Sequence, residues 1–215
     1  MKKSPALLLR EFGPFPGVTQ VGGVSYDGAH VWIAIGERLC AIDPESGETV
    51  HTLDVPAHAG TAFDGEYLYQ IAGDLIQKVD PATGRVVSTA PTPEGGASGM
   101  AWAEGRLWVG QHRARKIHQI DPESGAILRT VESNRFVTGV TWVEGDLWHG
   151  TWENDESELR RISPETGEVL EALQMPAGVT VSGLESDGGE RFFCGGGNSG
   201  KVRVVRRPRR QSSGA

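Results

Sequence analysis

Between residues 139 and 158 the chain reads GVTWVEGDLWHGTWENDESE, three tryptophans and a histidine set among carboxylates. An aromatic wall with hydrogen-bonding groups around it suits a small polar ligand, and a histidine or carboxylate beside it could move protons. Whether these side chains share one site depends on the elements that carry them.

A repeat supplies those elements. Tight turns of an acidic residue and glycine recur at Asp27-Gly28, Asp64-Gly65, Glu104-Gly105, Glu144-Gly145 and Asp187-Gly188, spaced 37, 40, 40 and 43 residues apart. A period near 40 is the mark of a propeller or solenoid. After each turn comes a short apolar strand with an aromatic at its centre, so Trp32, Tyr69, Trp108, Trp148 and Phe193 form one structural column. A third strand then runs into AIDPESG, KVDPATG, QIDPESG or RISPETG. There Asp or Ser bonds its own backbone, Pro fixes φ and Gly takes the left-handed position.

Four strands per copy with no helical period predict an all-β chain, a five-bladed β-propeller of four-stranded antiparallel blades. Blades are expected at 23–59, 60–98, 99–138, 139–182 and 183–205. The fifth copy stops after its third strand, so residues 5–12 are expected to supply its outer strand and close the ring. Residues 1–205 then form a single domain, and 206–215, with RRPRR, a basic, solvated and disordered tail rather than a nucleic-acid contact.

Composition agrees. The chain has 215 residues, 30 of them glycine, and a formal charge of −7, which argues for one domain and against a nucleic-acid partner. The start MKKSPALLLREFG has too short an apolar run for an export signal, and no stretch is long enough to span a membrane. Cys40 and Cys194 lie far apart without metal-knuckle spacing, and a cytoplasmic location is expected. GGGNSGK at 195–201 has no helix after it and is not a phosphate loop.

In such a blade the loops entering the inner strand share a face with the loops from second to third strand. That divides the opening stretch: Trp142, Trp148 and His149 belong to blade packing, while Thr151, Trp152, Glu153, Asn154, Asp155 and Glu156 reach the ligand face. Other loops add Thr19, Gln20, His58, Ser98, Gln111, His112, Arg113, Arg115, Arg135, Phe136, Thr138 and Asn198. His58 and His112 with Glu153 or Asp155 offer donors for a divalent metal, although no cofactor is required. Gln111, Arg135 and Trp152 suit a small polar ligand better.

Three segments carry a family likeness. VTQVGGVSYDG, GEYLYQIAG and GVTWVEGDLWHGTWENDESELRRISPETGEVL make the chain resemble the five-bladed glutamine cyclotransferases (glutaminyl cyclases), over most of residues 17–205. The resemblance implies a pocket with Trp152 as a wall and Gln20 at its mouth, taking a small polar molecule or peptide end for transferase or lyase chemistry. It also implies a proton-shuttling glutamate just before the second blade's inner strand, where this sequence has Ala59. His58 or Glu153 would then be the catalytic base, with Gln20, Gln111, His112, Arg135, Phe136, Thr151, Trp152 and Asn154 around the substrate. Two other readings stay open: a non-catalytic propeller that binds a protein partner, and a metal-dependent lyase of the streptogramin-lyase type.

Overall fold

The turns decide the local structure. At Glu104-Gly105 and Glu144-Gly145 both residues have positive φ, 54° and 73° in the first and 53° and 79° in the second. That is the primed two-residue hairpin, whose twist matches the flanking strands. The Asp-Gly turns work differently, because the Asp27 carboxylate accepts the Ala29 and His30 amides at 2.8 and 2.6 Å and the Trp32 indole N–H at 2.7 Å. Burial raises the Asp27 pKa, but these donors outweigh it and the net shift is downward. Asp27→Ala would leave the buried indole without its acceptor, and a loss of about 1–3 kcal/mol is expected in urea unfolding. Asp27→Asn, which keeps an acceptor, should lose less.

The computed structural model describes residues 1–209. Strands are numbered in chain order. An N-terminal arm holds β1 (Lys2–Pro5) and β2 (Leu8–Phe12). Blade one follows with β3 (Val24–Tyr26), β4 (Val31–Ala34), β5 (Leu39–Ile42) and β6 (Thr49–Leu53). Blade two has β7 (Thr61–Phe63), β8 (Leu68–Ala72), β9 (Leu75–Val79) and β10 (Val86–Pro91). Blade three has β11 (Met100–Ala103), β12 (Arg106–Gln111), β13 (Lys116–Ile120) and β14 (Ile127–Glu132). Blade four has β15 (Val137–Val143), β16 (Asp146–Thr151), β17 (Glu158–Ile162) and β18 (Val169–Gln174), and blade five has β19 (Leu184–Ser186), β20 (Arg191–Gly195) and β21 (Val202–Arg206).

The fold is a five-bladed β-propeller of antiparallel blades, with no helix among the described residues. Blade five takes its fourth strand from the N-terminal arm, β2 pairing antiparallel with β21. That strand spans Leu8–Phe12, not the whole of 5–12. Residues 2–5 leave for the neighbouring blade, where β1 adds a fifth strand parallel to β18. Lys3 holds it there, reaching Glu158 at 2.8 Å, itself bonded by Arg160 at 2.7 Å. Burial raises the Glu158 pKa, yet the two cations win and hold it low.

The basic segment after 205 also differs from a solvated tail at its start. Arg206 pairs with Arg191 in the β20–β21 ladder, and buried Arg207 grips the Glu144 carboxylate at 2.7 and 3.0 Å. Arg209 bonds Glu190. Residues 210–215 of the expected tail lie outside the described residues.

The aromatic column packs one blade onto the next. Tyr69 stacks on Trp102 and Trp108 on Trp142, at 5.3 and 5.5 Å between centroids, and Phe193 meets Tyr26 at 5.8 Å. In blade five Ser186 stands at the inner-strand position that is aromatic in the other blades, and Trp148 tilts against Phe192 instead. The glycines of the proline-bearing turns join blades as well. A Cβ on Gly47 would lie 2.3 Å from the Phe12 ring, and one on Gly125 would lie 2.6 Å from the Pro91 carbonyl.

At the axis stands a ring of glycines, Gly23, Gly60, Gly99, Gly139 and Gly183, one immediately before or within each inner strand. Each faces the backbone of the next blade so closely that a Cβ would fall within 2.3–2.7 Å of it. Inner strands therefore close on one another, and the axis holds no space for water at this level.

Candidate functional site

Above the glycine ring, on the face of the entering loops, lies an axial cavity of about 260 Å³. Its wall is Gln20, Gly22, His58, Ala59, Ala97, Ser98, His112, Thr138 and Ser182. Each entering loop is pinned to the second strand of its own blade. Gly22 donates to Ala34 O at 2.8 Å, His58 to Ile71 O at 3.0 Å, Ser98 to Gly110 O at 2.7 Å and Ser182 to Gly195 O at 2.8 Å. Gly22, Ser98 and Ser182 each stand just before their inner-strand glycine, whereas the loop of blade two makes this bond one residue earlier, at His58, with Ala59 between it and Gly60.

Within that wall the hydroxyls divide. Ser98 donates to Val137 O at 2.9 Å and Ser182 to Val21 O at 2.5 Å, each tying its loop to the next blade. The buried Thr138 hydroxyl has no protein partner. His58 is exposed, and its Nδ1 accepts the Gly73 amide at 3.0 Å. Its neutral ring therefore carries the proton on Nε2, which lies 3.7 Å from the rim carboxylate of Glu37. His112 is half-buried against Phe136 at 4.8 Å; burial, then the charge of Arg113, lowers its pKa and favours neutral imidazole.

Of the residues expected at the site, Gln20, His58 and His112 line the cavity together, and Phe136 backs His112. Gln111 does not face the ligand side. It is buried, its amide NH₂ donates to Glu94 O and Gly96 O at 2.8 and 3.0 Å, and its oxygen meets His118 Nε2 at 2.8 Å. It is a clamp for the 94–96 loop. Thr151 is fully buried and its hydroxyl accepts the Glu158 amide at 3.0 Å. Asn154, with φ 55°, and Asp155, with φ 60°, form the tip of a tight turn between Glu153 and Glu156.

Glu153 is bound rather than free to act as a base. Arg115 pairs with it at 2.6 Å and Arg135 at 3.9 Å, and the Arg115 guanidinium also lies 4.6 Å over the Phe136 ring. Trp152 is half-buried and is not among the residues that line the axial cavity. The stretch from Gly139 to Glu158 is thus divided, with Trp142, Trp148 and fully buried His149 in the packing. Sequence reasoning put Ser182 and Gly22 in loops without singling them out; their place just before the inner-strand glycine, shared with Ala59, Ser98 and Thr138, was the available signal.

No acidic side chain lines the cavity, and Ala59 presents a methyl group to it. Among the described residues no group of three or more His, Cys, Asp or Glu is gathered as a metal ion would need, so His58 and His112 have no third ligand beside them. Cys40 and Cys194 are free and buried, and desolvation pushes the Cys194 thiol up to about 12. No helix of the described residues is long and apolar enough to cross a membrane.

The solved structure of Myxococcus xanthus glutaminyl cyclase is similar to this chain with a TM-score of 0.79, covering 95% of this chain and 97% of its own at 18% identity. At that identity the likeness is one of fold. The WD40 repeats of RRP9 are similar at a TM-score of 0.59 and 11% identity, over 94% of this chain and 99% of theirs. The WD40 propeller domain of Doa1 follows at 0.56 and 16%, over 86% of this chain and 63% of its own. No curated protein matches the chain. The model of the family described as outer membrane protein assembly factor BamB matches residues 72–209, more than half of the sequence, and the chain belongs to that family.

Proposed function

We propose that the axial cavity binds a small polar molecule or peptide end carrying an uncharged amide, and holds it without turning it over. The observation that carries this reading is the composition of the wall. Gln20, His58 and His112 can give or accept hydrogen bonds, and no carboxylate stands among them. A carboxylate or ammonium ligand would lose its hydration there without gaining an opposite charge, whereas an amide exchanges water for equivalent partners.

The chemistry of a cyclotransferase supports the second half of the reading. Closing a glutaminyl end onto its own amine requires a proton to leave the amine and one to reach the departing ammonia. Ala59 lines the cavity where the resemblance expects the carboxylate that would shuttle them, and Glu153 is held by two arginines. At about 260 Å³ the cavity is smaller than most ligand sites and suits a single terminal residue.

Calorimetric titration with an N-acetylated glutaminyl dipeptide and a pyroglutamyl dipeptide tests the binding, and ammonia release is followed separately with the same glutaminyl dipeptide carrying a free amine, since only that form can close. Both peptides are expected to bind wild type, with affinity falling about tenfold in His112→Ala, and no ammonia should appear. Ammonia from wild type would overturn the absence of turnover. Failure of both peptides to bind would overturn the site. The family match favours a second reading, in which the same face docks a protein partner.

A further inference from the structure

β1 is not needed to close the ring, because β2 already completes blade five. It lies instead on the edge of blade four, parallel to β18 from Lys2 opposite Glu171 to Pro5 opposite Gln174, and the Ala6 amide donates to Gln174 O at 2.8 Å. Lys2, Lys3 and Pro5 are exposed, so little apolar surface holds the strand there.

Charge holds it, and the negative half of each pair is built into the blade. Glu171 turns Oε2 to Arg161 Nε at 3.6 Å and Oε1 to Lys2 at 3.4 Å. Glu158 likewise turns Oε2 to Arg160 Nε at 2.7 Å and Oε1 to Lys3 at 2.8 Å. The two carboxylate side chains are only 7% and 2% exposed, whereas the two lysines remain 63% and 48% exposed. Successive strand residues face opposite ways, so one lysine serves each face of the blade. No other blade edge carries an acid at this place. On the first rung after the register slip of the outer strand, where blade four has Glu171, the other blades have His51, Ser88, Arg129 and Arg10.

The strand fills this edge incompletely. Glu171 Oε1 is buried and accepts no hydrogen bond, Lys2 standing close enough for charge alone. A buried acceptor left so is costly, and an arginine in that place, with its planar fork of donors, would satisfy it. We infer that the edge of blade four is a docking site for an extended basic segment of a partner protein, which runs parallel to β18, sets two successive cations on Glu171 and Glu158, and displaces β1. The chain's own arm is then an autoinhibitory strap. Only Ala6 and Leu7 separate β1 from β2, which puts its effective concentration at the edge at about millimolar or above. A partner binds wild type weakly for that reason, and tightly once the strap is loosened. The inference does not rest on what the axial cavity binds.

Fluorescence anisotropy with a labelled acetyl-Arg-Lys-Ser-Pro-Ala-amide peptide tests it on the full chain. K2E/K3E sets like charges against both carboxylates and releases the strap, which faster hydrogen exchange of the Ala6 amide reports. Circular dichroism checks the fold, and K2A/K3A, which only removes the cations, is the milder companion. Both variants are expected to bind the peptide at least about tenfold more tightly than wild type. Adding Glu171→Gln should reverse much of that gain, and a peptide with two glutamates in place of the cations should bind none of the proteins. An Ala6 amide as protected in both variants as in wild type, equal affinity of wild type and variants for the basic peptide, or equal affinity for the basic and acidic peptides would each overturn the proposal. So would a wild-type dimer in sedimentation that K2A/K3A makes monomeric, since the occupant would then be the arm of a second copy.

Discussion

Gly139→Ala is expected to leave little folded protein. An added Cβ would stand 2.3 Å from the Leu184 amide nitrogen and 2.5 Å from the Gly183 carbonyl carbon. Both are backbone atoms of the next inner strand, so no side chain can swing aside, and relief requires blades four and five to part at the axis. Overpacking of a close-packed core costs about 1–3 kcal/mol where side chains can yield. Here they cannot, and a loss of about 4 kcal/mol or more is expected, among the largest for one substitution. Gly28→Ala is the comparison: its φ is +95° and its Cβ would meet nothing within 4 Å, so only backbone strain applies, about 1–2 kcal/mol. Soluble yield and urea midpoints of the two variants decide the matter. If Gly139→Ala unfolds no more readily than Gly28→Ala, the ring of glycines does not set how closely the blades approach.

That ring was present in the sequence, one glycine before each inner strand in VGGV, AGTA, SGMA, TGVT and SGLE. Read singly, each looks like the end of a loop. Only the five-fold arrangement shows them meeting at one axis. The blades themselves were legible because turn chemistry is local: an acidic-Gly hairpin and a proline-bearing corner such as AIDPESG need no distant partner to take their shape. The fate of Gln111 was not legible, because the carbonyls of Glu94 and Gly96 that occupy its amide are brought to it by the fold of another loop. Glu153 fails as a free base for the same reason, its two arginines arriving from the loops of blades three and four. The arm had a fainter sign. Glu158 is acidic where the other third strands begin Leu39, Leu75, Lys116 and Val202, and it waits for Lys3 from the far end of the chain.

The pH dependence of stability is expected to show two buried groups working against each other. His149 is fully buried in blade four, with Nδ1 bonded to the Gly150 carbonyl at 3.1 Å and Nε2 without a partner. Burial drives its pKa from 6.5 down to about 4, and Arg160 adds to this. The unfolded chain therefore takes up a proton that the folded chain refuses, and stability falls as pH drops from 6.5 toward 4. Glu185 is the opposite case. Part of the residue can be reached by solvent, but its carboxyl is packed beneath the ring, taking hydrogen bonds from the Thr141 hydroxyl and the Ser186 amide. Burial pushes its pKa from 4.5 up to about 7. Here the folded chain keeps a proton that the unfolded chain releases, and stability falls as pH climbs from 4.5 toward 7. At about 1.36 kcal/mol per pH unit of difference each group contributes roughly 3 kcal/mol across its window. Between pH 4.5 and 6.5 the two slopes cancel. Glu185→Gln should expose the His149 slope, so that the urea midpoint rises with pH to about 6.5. His149→Val, the residue that blade three has at Val109 in the same slot, should expose the Glu185 slope, so that the midpoint falls as pH rises from 4.5 to 7. Profiles of the two variants that run parallel to each other and to wild type would show that neither group is titrating in the fold.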